Sequence, residues 1–110
     1  MFFTERRDFK ERELSPKVNT KIAWGEKLML SYVTVQPNAP IVPLHSHPHE
    51  QMGLVLKGEV GLTIGSETRR LKKGDMFVIP PNVPHGLAMT FDQPAEILDV
   101  FSPPRQEFKE

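Results

Sequence analysis

The chain consists of short apolar runs separated by clusters of turn residues. One run, "LMLSYVTV" at residues 28–35, is rich in β-branched and aromatic residues and is followed by "QPNAP", which is typical of a strand and a turn. Further strands are predicted in "MFVIPP", "GLAMTF" and "EILDVF". Such runs recur roughly every ten residues, as in an all-β sandwich or barrel, and no window of about 11 residues has helical periodicity. The pattern therefore predicts an all-β fold.

Two further parts of the pattern concern the connections and the N-terminus. Apolar runs at 52–56 and 60–64 flank Lys57-Gly58-Glu59, which predicts a β-hairpin, and Gly65-Ser66-Glu67 predicts the next turn. Residues 4–13 are charged on every face and are assigned only as an arm.

Composition limits the number of domains and the classes of partner. The 110 residues suffice for one domain with its own core but not for two. Fourteen basic and fourteen acidic residues give a net charge of zero, so we expect no binding to nucleic acid or to an anionic membrane surface. No apolar run approaches the roughly 20 residues that span a bilayer, and "MFFTERRDFK" lacks the apolar stretch of a signal peptide. We therefore expect a cytoplasmic location.

Three of the four histidines lie within "HSHPHEQ", residues 45–51. In an extended strand alternate side chains share a face, so the odd-numbered side chains from His45 to Gln51 would point the same way. Two neutral imidazoles with this spacing can bind one cation together, and a chain without cysteine would hold a metal through nitrogen and oxygen. The alternative is a solvated polar loop, which Pro48 favours because proline interrupts a strand.

The fourth histidine, His85, follows a proline-rich loop in "GDMFVIPPNVPHG". Pro80, Pro81 and Pro84 restrict the backbone, so His85 would lose little entropy on binding a ligand. The spacing alone does not place His85 beside the first cluster, since only a fold can bring the two segments together.

The two segments resemble the two motifs of the cupin superfamily, which are small jelly-roll β-barrels with a metal inside the barrel. The resemblance spans roughly residues 30–101 and is carried by the following positions: His45, His47, Gln51 and Gly58 in the first motif, and Gly74, Pro80 and His85 in the second. It implies an all-β, single-domain cupin jelly-roll β-barrel. It also implies four metal ligands: His45, His47, Gln51 and His85. Such ligands suit one divalent first-row transition metal, namely Mn, Fe, Co, Ni or Zn.

Several positions depart from the usual cupin pattern. Gln51 stands where the family usually has glutamate, and by strand parity Gln51 points inward and Glu50 outward. Asn82 replaces the usual glycine of the second motif and Met89 replaces the usual late asparagine, which affects the turn more than the ligands. His49 falls outside the motif and is interpreted as a rim residue.

The resemblance also suggests how the chain is organised within its one domain. Residues 1–27 would form an N-terminal arm and first strands packed on the barrel, and residues 28–110 the barrel with a C-terminal extension. Leu54 and Leu56, like Met52, are opposite in parity to Gln51, so this apolar row must be covered by the second sheet or by another subunit. Small cupins often pair through such surfaces, and we therefore predict a homodimer.

One group of cupins, the pectin-degradation cupins of the KdgF type, is similar in three segments: "HSHPHEQ", "IPPNVPHG" and "LDVFSPPR". This resemblance implies a metal-dependent enzyme that promotes ring opening and ketonisation of 4,5-unsaturated monouronates from pectin or alginate breakdown. The partner would then be a small anionic sugar. In that group an Asp, a Phe and an Arg complete the pocket, and they match Asp99, Phe101 and Arg105.

The residues of "EILDVF" give an independent interpretation of this segment. Ile97, Asp99 and Phe101 share one face of the strand, and carboxylates are rarely buried without a partner. Asp99 is either a general acid/base near the substrate or a structural aspartate satisfied by Arg105 or by a loop amide. Arg105 is either a bidentate partner for a substrate carboxylate or an ordinary exposed arginine. Phe101 is either a core residue or a wall of the substrate site.

Two other classes of function remain open. A metal-dependent cupin of another class, such as a dioxygenase or a sugar isomerase, would use the same fold, because a fold alone selects no chemistry. A non-catalytic small-molecule-binding cupin, such as a sensor module, is the second.

Overall fold

The computed structural model describes residues 2–5 and 8–110 of the chain. These residues form ten β-strands and one short helix. The strands are β1 (Lys10–Ser15), β2 (Val18–Trp24), β3 (Met29–Val35), β4 (Val42–His45), β5 (Glu50–Lys57), β6 (Glu59–Ile64), β7 (Glu67–Lys72), β8 (Met76–Ile79), β9 (His85–Met89) and β10 (Ala95–Ser102), and the helix is α1 (Gln106–Lys109). No helix in this part of the chain is long and apolar enough to cross a membrane.

The strands form two antiparallel sheets. The six-stranded sheet has the order β1-β2-β3-β10-β5-β8, and the four-stranded sheet has the order β4-β9-β6-β7. Apolar side chains from both sheets form one buried cluster, with Val33, Val55 and Ile97 from the first sheet and Val60, Leu71 and Leu87 from the second. The all-β prediction is confirmed, and β3, β8, β9 and β10 coincide with predicted strands to within two residues.

The predicted hairpin between residues 52–56 and 60–64 is wrong. Strand β5 pairs with β10 and β8, whereas β6 pairs with β7 and β9 in the other sheet. Gly58 joins them with a φ of +73°, and a side chain there would collide with the carbonyl oxygen of Pro94. A single residue in the left-handed conformation thus carries the chain from one sheet to the other. The actual hairpin is β6–β7, which the predicted turn at Gly65 connects.

The assignment of residues 4–13 as an arm needs correction at its C-terminal end. Residues from Lys10 onward belong to β1, which pairs with β2 at one edge of the six-stranded sheet. An edge strand is paired on one side only and stays largely exposed, so its sequence carries charge on both faces and lacks an apolar alternation.

The outer surface of the six-stranded sheet is apolar across four neighbouring strands. We call it the outer apolar face, and it consists of paired residues on adjacent strands: Leu30 and Tyr32 on β3, Val100 and Leu98 on β10, Met52 and Leu54 on β5, and Val78 and Met76 on β8. Met76 and Val78 are 75% and 50% exposed. The predicted outward orientation of Met52 is therefore confirmed, and the second sheet does not cover this row.

Candidate active site

A cavity of about 490 Å³ lies between the two sheets. Its lining includes six of the seven predicted site residues: His45, Gln51, His85, Asp99, Phe101 and Arg105. His47 is outside this lining, but its ring centroid lies 4.8 Å from that of His85 and 5.7 Å from that of Phe101. The fold thus gathers all seven residues, which are far apart in the sequence, at one place.

The imidazoles meet where β4 ends and β9 begins. His45 and His85 are paired across these strands, and their ring centroids are 4.5 Å apart. His47 lies in the loop between β4 and β5, so of the two alternatives for this segment the structure has a loop rather than a continuous strand, because Pro48 lacks the N–H that a strand ladder uses. The backbone N–H of Asn82 donates to the carbonyl of His47 at 2.8 Å, which attaches this loop to the proline-rich loop.

Each of the three imidazoles donates a hydrogen bond from Nδ1 to a backbone carbonyl. The acceptors lie two residues away, at 2.9 to 3.1 Å: Pro43 for His45, His49 for His47 and Val83 for His85. Because a carbonyl oxygen can only accept, Nδ1 carries the proton and Nε2 keeps a lone pair. Metal-binding histidines are oriented by such bonds, so the three rings fit the predicted role.

Gln51 is the fourth predicted ligand, and its Oε1 lies 3.1 Å from Nε2 of His47. Burial, together with the charge of Arg105, lowers the pKa of His47 to about 4, and burial also lowers the pKa of His85. Both rings are therefore neutral at neutral pH, and the Nε2 lone pair of His47 faces an oxygen. Two such groups repel one another unless both bind a cation, so this donor set fits a metal ion.

The complete ligand set remains a prediction. Within residues 2–5 and 8–110, no three histidine, aspartate or glutamate side chains are close enough together to hold a metal ion on their own. The set of His45, His47, His85 and Gln51 therefore stays a prediction, because its three imidazoles do not form such a group in the described residues.

Asp99 lies on the inner face of β10, between Ser31 of β3 and Gly53 of β5. Burial raises the pKa of Asp99 to about 7, although the Gln51 side chain and the Arg105 charge oppose the shift. Its Oδ1 is buried and has no hydrogen-bond partner among the residues that the structure describes. The predicted parity of β10 is confirmed, and this carboxyl can exchange a proton near neutral pH.

Arg105 immediately precedes α1, and its side chain is only 15% exposed. Its Nε and Nη2 both contact Oε1 of Glu107 at 2.9 Å. The guanidinium lies over the ring of Phe108 at 4.1 Å and over that of Phe101 at 5.1 Å. Arg105 is thus not an ordinary exposed arginine, and a substrate carboxylate would meet those of its N–H groups that Glu107 leaves free.

Phe101 combines both roles considered for it. It is 2% exposed and packs against Phe108, with ring centroids 5.6 Å apart, and it also lines the cavity. His49 is half-buried beside His47 and contributes its backbone carbonyl, whereas Glu50 is exposed and points outward as predicted.

The sequence analysis missed four residues that surround Asp99 and Arg105. Glu107 and Phe108 lie beyond the second motif, where the only local signal is an acidic residue two positions after an arginine. Gly53 and Phe77 flank Asp99 on β5 and β8 through the strand order, which no local pattern reports.

The chain is similar to known proteins in sequence and in fold. A family model described as a cupin domain matches residues 31–101. The chain belongs to the cupin family. This confirms the resemblance that the two histidine motifs carry, and it identifies the two facing sheets as the cupin jelly roll.

Among its relatives, the cupin is 33% identical over 98 residues to the pectin degradation protein KdgF of Dickeya dadantii, and the match covers 87% of each chain. The structure of KdgF from Halomonas sp. matches with a TM-score of 0.82 at 30% identity over 96% of both chains. The cupin is also 37% identical over 75 residues to the H2HPP isomerase of Bacillus subtilis, but it spans only 30% of that protein's length. Of these relatives, KdgF is matched over most of both chains, whereas the H2HPP isomerase is matched over less than a third of its length.

Proposed function

We propose that this cupin is a metal-dependent enzyme that promotes ring opening and ketonisation of 4,5-unsaturated monouronates from pectin or alginate breakdown. Similarity to KdgF over most of the chain supports this function. The observation that carries the proposal concerns Asp99, which lines the same cavity as His45, His85 and Arg105. Its buried Oδ1 has no hydrogen-bond partner within the described residues.

Arg105 is the proposed partner of the substrate carboxylate. The guanidinium has five N–H donors in a fixed fork, and Glu107 uses only part of them. A second carboxylate beside Glu107 would share the positive charge rather than displace the ion pair. The rings of Phe101 and Phe108 beneath the guanidinium would form the wall next to the sugar.

His45, His47, His85 and Gln51 would hold one divalent transition metal, namely Mn, Fe, Co, Ni or Zn. When bound, the metal supplies a Lewis acid that polarises a substrate oxygen. The Gln51 amide is neutral, so it offsets less of the positive charge in the site than a glutamate would.

Asp99 is the proposed acid/base residue. The reaction is an isomerisation: the anomeric hydroxyl loses a proton, the bond between C1 and the ring oxygen breaks, and C4 gains a proton as C5 becomes a ketone. The carboxyl of Asp99 would accept the first proton and return one to C4. Because burial raises the pKa of Asp99 to about 7, both protonation states are populated at neutral pH.

The test follows the ultraviolet absorbance of the C4=C5 double bond. We expect metal-loaded protein to accelerate the loss of this absorbance from freshly released unsaturated galacturonate above the rate of a no-enzyme control. Chelation should remove the acceleration. A protein that contains metal and still leaves the spontaneous rate unchanged would contradict the proposal.

The apolar part of the cavity favours a second candidate, an isomerase for a substrate with an apolar body. Val33, Leu62 and Leu87 line the cavity together with the polar site residues, and similarity to the H2HPP isomerase points in the same direction. Isomerisation of a substrate of this kind, without any activity on unsaturated uronates, would favour this candidate. Oxygen consumption by the metal-loaded protein would instead favour a dioxygenase.

We also propose that the cupin forms a homodimer through the outer apolar face. A continuous apolar surface of this kind is unfavourable in water, and a two-fold partner would cover the same face on both copies. The cytoplasmic location remains a prediction.

A further inference from the structure

Gly53 occupies an unusual position on the inner face of the six-stranded sheet. In strand β5 it pairs directly with Asp99 of β10 on one side and with Phe77 of β8 on the other. The three residues therefore form one row across the sheet, and the middle one has no side chain.

The space above Gly53 is filled by its two neighbours. A Cβ atom at this position would lie 2.5 Å from Cε1 of Phe77, closer still to Cζ, and 2.7 Å from Oδ1 of Asp99. Cβ atoms do not approach other heavy atoms this closely. Strand β5 is paired on both sides, so its backbone cannot move away from the sheet, and any side chain at Gly53 must displace Phe77 and Asp99.

The placement of Phe77 above Gly53 also determines the surroundings of the carboxyl. Phe77 is buried and its ring has no hydrogen-bonding group, so on this side Asp99 meets an apolar surface. Such a surface keeps water away without engaging Oδ1, which has no hydrogen-bond partner in residues 2–5 and 8–110. The carboxyl is thus held in place by packing while this oxygen stays free.

We propose that Gly53 and Phe77 are positioning residues for Asp99: because Gly53 has no side chain, the Phe77 ring and the Asp99 carboxyl both fit above it, and this packing fixes the direction in which the carboxyl faces the cavity. The predicted effect on kcat rests on the proposed function, whereas the predicted effect on the position of the carboxyl does not. Neither residue contacts the substrate in this proposal.

The test is Gly53→Ala, with Gly25→Ala as the matched control, because a Cβ at Gly25 has no heavy atom within 4 Å. We expect the kcat of Gly53→Ala on unsaturated galacturonate to fall by about tenfold to a hundredfold, because a misplacement near 1 Å can cost as much as about a hundredfold. Its KM and bound metal should change by less than about twofold, since the substitution changes the orientation of the carboxyl rather than the binding of substrate or metal. Gly25→Ala should match the wild type in all three.

A second variant makes the proposal testable even if Gly53→Ala does not fold. Gly53→Ala/Phe77→Leu removes the ring atoms that the new Cβ would meet, so it should fold and recover kcat severalfold relative to Gly53→Ala. A folded double variant with no recovery, and with no activity above the spontaneous rate, would overturn the proposal. Wild-type kcat in Gly53→Ala would also overturn it.

Crystal structures of the wild type and of whichever Gly53 variant folds separate this inference from the proposed function. We expect the carboxyl of Asp99 to shift in Gly53→Ala and to lie nearer its wild-type position in the double variant, in which the new Cβ meets only Oδ1 and no longer the ring. A carboxyl that stays in place in Gly53→Ala overturns the positioning role, whatever the activity. If the wild type is inactive on uronates, the proposed function fails, and the position of the carboxyl still decides the structural part.

Discussion

His45, His47 and His85 show how single hydrogen bonds prepare a site. Each ring uses its Nδ1 proton on a nearby backbone carbonyl and so retains a lone pair on Nε2. His49 differs because its buried Nδ1 has no partner in the described part of the chain, and its carbonyl rather than its ring supports the cluster. The Nδ1 hydrogen bond therefore distinguishes the three predicted histidine ligands from the neighbouring His49, which lacks such a bond within the described residues.

This difference gives the first prediction. His85→Ala should weaken metal binding by at least about tenfold to a hundredfold, the range measured even for outer-shell partners of metal ligands. His49→Ala should leave the metal content near that of the wild type. Metal analysis after loading and dialysis measures both, and a His85→Ala protein with full metal content would refute the ligand assignment.

Sequence reasoning at the residue scale succeeded where a side chain's role follows from local parity or motif spacing. The inward orientation of Asp99 followed from the alternation in β10, and the grouping of His85 with the first histidines followed from the family resemblance. The ion pair between Arg105 and Glu107 was not predictable in the same way, because it depends on how the chain turns after β10.

The proline-rich loop shows how an element positions the site. Asn82 adopts a φ of +66°, and its backbone N–H holds the carbonyl of His47. Glycine and asparagine tolerate this conformation, which explains how asparagine can stand where cupins usually have glycine. The loop therefore fixes His47 as well as His85.

Substitutions at Asn82 test this role. Asn82→Val should lower the free energy of unfolding by about 1–2 kcal/mol, because a β-branched residue is strained at positive φ. It should also weaken metal binding by displacing His47. Asn82→Gly should stay within about 0.5 kcal/mol of the wild type, and urea unfolding measures both changes. Equal stability of the two variants would argue against strain at this position.

The position of a strand was predictable where its own residues show a strand pattern, but its pairing partners were not. The apolar runs located β3, β8, β9 and β10, because each carries its own alternation or apolar content. The partner of β5 was mispredicted, because Gly58 and a tight hairpin turn look alike until the sheets are assembled. The strand β1 was missed because an edge strand needs no apolar face.

At the scale of the whole molecule, the two surfaces of the six-stranded sheet have different roles. The inner surface carries Asp99 and Phe101 into the cavity, while the outer apolar face remains exposed. Along β10, successive side chains point alternately to the inner and the outer surface of the sheet. A substitution on the outer apolar face can therefore be made without changing a residue of the site.

The predicted homodimer can be tested by a substitution on the outer apolar face. We expect light scattering at micromolar concentration to give a mass of about twice 12.6 kDa for the wild type. Val78→Lys, which places a charge among apolar side chains, should give the mass of a monomer. Glu67→Lys, an exposed change on β7 of the other sheet, is the control and should leave the mass unchanged. A monomeric wild type would contradict the predicted dimer.

The central claim is that Asp99 moves the proton in a metal-bearing cavity, and the most direct test compares wild type with Asp99→Asn. Both are loaded with the same metal, their metal content is measured, and the loss of ultraviolet absorbance from unsaturated galacturonate is followed against the spontaneous rate. We expect Asp99→Asn to retain the metal of the wild type and to lose all acceleration, because an amide cannot exchange the proton. An Asp99→Asn protein that holds metal and turns over at the wild-type rate would contradict the account.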